Sequence, residues 1–73
     1  MITPEQLVNW FTYHPPREKD IPAFLAIREA GKEFAATVIY NTPPGEDQVA
    51  AVRKIREAVM MANAAIACKQ EAP

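Results

Sequence analysis

Apolar and polar positions along the chain follow a helical period almost throughout, and no segment alternates in the way a half-buried strand would. The first such pattern covers about residues 4–10. Thr3 is placed to cap it, Pro4 suits the first helical position, and Gln6 completes a capping-box spacing. Leu7, Trp10 and Phe11 are the side chains this short helix has to bury, and Trp10 and Phe11 are expected to staple it to a larger body. A second pattern runs over about residues 21–40. Asp20 is its expected cap and Pro22 falls in its first turn. At about 100° per residue, Phe24, Ile27, Gly31, Phe34, Ala35 and Val38 share one face. Gly31 costs a helix interior about 1 kcal/mol against alanine, which predicts a neighbouring helix in close approach at that point. Asn41-Thr42-Pro43-Pro44-Gly45 is a turn. The third pattern covers about residues 46–69, with Glu46 and Asp47 at the positive end of its dipole. Val52, Ile55, Val59, Ala62 and Ile66 form its packing seam.

The predicted fold is all-α: one helical domain over residues 1–73, a short N-terminal helix followed by an antiparallel two-helix hairpin. Residues 70–73 read as a frayed tail. Seventy-three residues, 49% of them hydrophobic, are few for a self-sufficient core. Cys68 is the only cysteine and His14 the only histidine, so neither an internal disulfide nor a structural zinc site can reinforce it. The third helix from Ala58 to Cys68 is apolar or small nearly all round, which requires cover on several sides. A compact homo-oligomer is the expected answer. Asn63, a polar residue near the seam, is the expected interface hydrogen-bonding residue.

A net charge of −1 leaves no basic surplus for a nucleic-acid polymer, though a small anionic ligand needs only a few cations. No apolar run is long enough for a membrane span, and the N-terminus lacks the basic-then-apolar layout of a secretory signal. The lone thiol suits a reducing compartment. Catalytic constellations come out poorly. His14 has no matched acid or nucleophile beyond Thr12, Cys68 lies at the dipole end that disfavours a thiolate, and no phosphate-loop or metal motif occurs. No enzyme, cofactor or metal site is expected.

The exceptional segment is Phe11-Thr12-Tyr13-His14-Pro15-Pro16, where two prolines push the chain into an extended form between two helices. Such a loop either plugs an interface or presents an aromatic face. Tyr13, with its polar tip, is the ring expected to stay exposed. Arg28 and Lys32 are one turn apart on the second helix, beside Ile21, Leu25 and Ile39, and have no acid at the favourable four-residue spacing. They read either as a solvated rim covering apolar surface or as an anion seat, with the Arg28 fork on phosphate oxygens.

Three blocks, Phe11-Thr12-Tyr13-His14-Pro15-Pro16, then Arg28-Glu29-Ala30-Gly31-Lys32, then Glu57-Ala58-Val59-Met60 with Ala62-Asn63-Ala64-Ala65-Ile66-Ala67, resemble the small phage-encoded anti-CBASS sponge proteins in order and spacing. The resemblance implies short helical protomers assembled into hexamers. These bind cyclic oligonucleotide second messengers in the cytoplasm of an infected bacterium and hold them uncleaved. Cyclic dinucleotides lie between protomers, and in some members cyclic trinucleotides occupy a separate site. By position, Tyr13 would stack on a base and Arg28, where family members can carry lysine, would meet a phosphate from the neighbouring protomer. His14 and Pro15 would shape the pocket wall, with Lys32 close to Arg28. Lys69 corresponds to a basic residue of the second site, where Ala30 replaces a polar side chain. The family's tryptophan-alanine-asparagine reads Met61-Ala62-Asn63 here. Two other readings stay open: an interaction protein docking on a host protein through its apolar third helix, and a phosphodiesterase that destroys the messenger.

Overall fold

The computed structural model describes residues 1–69, and the fraying expected for residues 70–73 lies outside them. Three α-helices, α1 (Pro4–Phe11), α2 (Ile21–Asn41) and α3 (Glu46–Ala67), and a 3-10 turn at Glu18–Asp20 are the regular elements of the described residues. There is no strand among them.

The capping box at the start of α1 forms in full. Thr3 Oγ1 accepts from the Gln6 backbone N–H at 3.1 Å and Gln6 Oε1 accepts from that of Thr3 at 2.9 Å. The staple does not form as expected. Phe11 is 83% exposed, and Leu7 and Trp10 remain about half exposed. Neighbours on a helix point about 100° apart, so an eight-residue helix cannot turn both aromatics to one wall. Trp10 borders an open hollow with Met61, Ala64 and Ala65 of α3 and with Cys68 just beyond it, and Phe11 is turned away. A polar bond does the tethering instead: Asn9 Nδ2 donates to the Cys68 carbonyl at 2.6 Å.

Asp20 occupies the N-cap position of α2 but makes no capping bond. The 3-10 turn before it holds its backbone in the helical region (φ −95°, ψ −13°), rather than the extended geometry from which a cap side chain reaches the next N–H groups. Pro22 sits in the first turn, as anticipated.

The hairpin seam agrees closely with the periodicity. Phe24, Ile27, Gly31, Ala35 and Val38 of α2 are half-buried, and so are Val52, Ile55, Val59, Ala62 and Ile66 of α3. Phe34 departs from this pattern: it stands 60% exposed at the rim. At the turn, Pro43 and Pro44 supply no N–H for the last carbonyls of α2. Side chains cover them: Thr42 Oγ1 donates to Val38 O at 2.7 Å, Asn41 Nδ2 to Thr37 O at 2.8 Å, and Gln48 Nε2 reaches Ile39 O at 3.3 Å. Helix α3 stops at Ala67, two residues short of the expected end. Cys68 leaves the helical region (φ −96°, ψ 5°), with its N–H on Ala64 O, which frees its own carbonyl for Asn9.

Among the described residues no hydrophobic side chain is fully buried. The radius of gyration is 15.5 Å, against about 11 Å for a compact chain of this length. The accessible surface is 6233 Å², against about 4,500 Å² for a folded monomer of this mass. The elongated protomer therefore carries an excess of surface, and much of it is apolar.

Candidate ligand-binding site

The loop between α1 and α2 closes over the end of α3. His14, Pro15, Pro16, Arg17, Asp20 and Phe24 form a cleft of about 230 Å³ with Ala67 and Lys69. His14 Nε2 donates to the Asn9 carbonyl at 2.7 Å, which satisfies one of the open carbonyls in the last turn of α1. Since a carbonyl only accepts, the proton of that bond is on Nε2. His14 thus has a structural hydrogen-bonding role within the loop.

At the cleft floor Asp20 is the one buried polar side chain among the described residues, 7% exposed. Its Oδ2 accepts from Arg17 Nε at 2.8 Å and its Oδ1 from Lys69 Nζ at 3.1 Å. The Lys69 hydrogen bond, followed by that of Arg17 and the two positive charges, holds the Asp20 carboxyl below its usual range against the opposing effect of desolvation. A carboxylate with a cation on each oxygen is a fixed structural joint, and it leaves the cleft lined by more positive than negative charge.

Of the residues singled out from sequence, His14, Pro15 and Lys69 are brought together here. Tyr13, Arg28 and Lys32 are placed outside the cleft. Tyr13 is 81% exposed at the loop tip. Arg28 and Lys32 are exposed on α2 and make no ion pair among the described residues. They adjoin Ile21, Leu25 and Ile39, each about half exposed, so the two cations border apolar surface. Sequence reasoning missed the joint itself. The three-residue spacing of Arg17 and Asp20 is a readable signal for their pairing, whereas Lys69 lies 49 positions away and sends none. The amide link from Asn9 to Cys68 was missed for the same reason.

Across the hairpin, Ile27, Gly31, Phe34, Ile55 and Val59 line an open apolar groove of about 600 Å³. Nearer the end of α3, Asn63 Oδ1 is buried with no hydrogen-bond partner among the described residues. No group of histidine, cysteine and acidic side chains suited to a metal ion occurs among the described residues. No helix there is long and apolar enough to cross a membrane.

A family model described as Acb2/Tad1, hairpin domain, matches residues 3–67, which takes in the capping box, the aromatic loop and both arms of the hairpin. The chain belongs to the Acb2/Tad1 hairpin family. This is the anti-CBASS sponge family of the sequence resemblance. The Acb2/Tad1 family is known for sequestering cyclic nucleotides, and its hairpin domain is of a binding rather than a catalytic kind. No curated protein and no solved structure matches the chain.

Proposed function

We propose that this protein sequesters cyclic dinucleotides without cleaving them, at sites shared between copies of the chain in a homo-oligomer, so that a host antiviral effector is not activated. The exposed ring of Tyr13 carries the reading. A tyrosine 81% exposed on a proline-stiffened loop is a ready stacking surface for a flat base. Its neighbours His14 and Pro15 form the adjoining wall. Arg28 supplies a planar fork for a phosphate, with Lys32 one turn on, and neither makes an ion pair among the described residues.

Membership of a cyclic-nucleotide-sequestering family supports the ligand class. The excess of roughly 1,700 Å² over a folded monomer's surface supports assembly, since a standard interface covers about 800 Å² per partner. A hexamer in the cytoplasm of the infected bacterium is the form we propose. Lys69 is proposed for a second site, for cyclic trinucleotides, although its engagement with Asp20 means an anion there has a carboxylate to displace.

The test is binding of cyclic GMP–AMP by titration calorimetry, followed by denaturation and chromatography of the ligand. Ligand recovered intact supports sequestration; linear products would establish the phosphodiesterase reading. Tyr13→Ala with Arg28→Ala should abolish binding and leave the assembly intact. Binding by that double variant at wild-type strength would overturn the site assignment. Light scattering separates the oligomer from the rival interaction protein, which would be a monomer with its apolar face free.

A further inference from the structure

The loop that presents Tyr13 is gripped at both ends by the same two consecutive residues. Ahead of the loop, Asn9 Nδ2 donates to the Cys68 carbonyl at 2.6 Å. Behind it, Asp20 Oδ1 accepts from Lys69 Nζ at 3.1 Å. Each anchor also holds a residue within the loop. The Asn9 carbonyl accepts from His14 Nε2 at 2.7 Å, and Asp20 Oδ2 accepts from Arg17 Nε at 2.8 Å. Between these points Pro15 and Pro16 have fixed φ, so few soft torsions remain. Tyr13 itself is 81% exposed, and its position therefore depends on the clasp at either end of the loop rather than on burial of its ring.

We infer that Asn9 and Asp20 are positioning residues for ligand binding: by clasping Cys68 and Lys69 they fix the loop and so the ring of Tyr13, with no contact to the ligand required of either. This rests on the reading of Tyr13 as the stacking residue. A loop already ordered before binding loses little conformational freedom when a base stacks on it, and a loose one has to be ordered by the ligand. The clasp lies beyond the Val52–Ile66 seam, so releasing it leaves the hairpin packed.

The experiment compares Asn9→Ala, Asp20→Asn and Asp20→Glu with wild type in the full chain. Three readouts are taken: hydrogen exchange over residues 12–19, emission of Trp10, the only tryptophan, and calorimetric affinity for cyclic GMP–AMP. Asn9→Ala and Asp20→Asn should each speed exchange in the loop at unchanged helix content and weaken binding about tenfold. Asn9→Ala should also shift Trp10 emission to the red. Asp20→Glu, which keeps a carboxylate for Lys69 and Arg17, should restore most of both losses; a merely structural defect would show instead as lost helix content. Unchanged exchange and affinity in both Asn9→Ala and Asp20→Asn would overturn the inference. If wild type binds no cyclic dinucleotide, the reading of Tyr13 fails and the ligand-positioning role with it. The exchange data then decide only whether the clasp orders the loop.

Discussion

The Val59 side chain rests on the backbone of Gly31 across the hairpin, so that a Cβ built on residue 31 would collide with Val59 Cγ2. Glycine is disfavoured within a helix, and here that cost is offset by the close approach of α2 and α3 midway along both. Gly31→Ala should destabilise the protein by about 1–2 kcal/mol, because valine is stiff at χ1 and overpacking outweighs the gain in helix propensity. Combining Gly31→Ala with Val59→Ala should cost less than the sum of the single changes. Urea unfolding of the four proteins checks the cycle.

Asp20 makes the loop joint sensitive to acid. Its folded-state carboxyl titrates below the ordinary value near 3.9, chiefly through the Lys69 hydrogen bond. Its stabilising contribution is fully present above that value and is lost as pH falls through the lowered one. The charged and titratable groups that face it are Arg17 and Lys69, which hold its two oxygens, and His14, which lines the same cleft. Thermal melts should therefore show an Asp20-dependent loss only below about pH 4. The same melts of Asp20→Asn should lack that component.

Phe34 stands 60% exposed in the apolar groove between α2 and α3. If that groove is covered by another copy, Phe34→Glu buries a charge in the assembly and disturbs the separate protomer little. Light scattering should show a smaller species at unchanged helix content by circular dichroism.

Asn63 presents a buried carbonyl oxygen with no partner among the described residues. Asn63→Leu removes that orphan, and the protein should gain about 1 kcal/mol, read as a midpoint raised by several degrees. A polar residue near a packing seam also restricts register. The leucine variant should accordingly give a broader mass distribution by native mass spectrometry.

Helix extents, the hairpin turn and both seam faces are legible in the sequence because each is a local or periodic property. Thr3 and Gln6 are three residues apart, and Val52 through Ile66 repeat with the helical turn. Gly31 is legible too, since a glycine tolerated in a helix implies a close neighbour, although its partner Val59 is not named by that argument. The extended form of the Tyr13 loop follows from Pro15 and Pro16, which exclude helix and regular pairing, and the exposure of the ring from its polar tip.

Tertiary structure alone decided which aromatic of α1 faces the end of α3, and Trp10 rather than Phe11 borders the hollow there because a helix of eight residues has too few turns for periodicity to declare a face. It likewise turned Asp20 from a helix cap into an ion-pair joint. The bonds from Asn9 to Cys68 and from Lys69 to Asp20 span 59 and 49 positions. Sequence carries no repeat at such separations. Those contacts exist only because the antiparallel packing of α2 and α3 returns the end of the chain to the loop where it began.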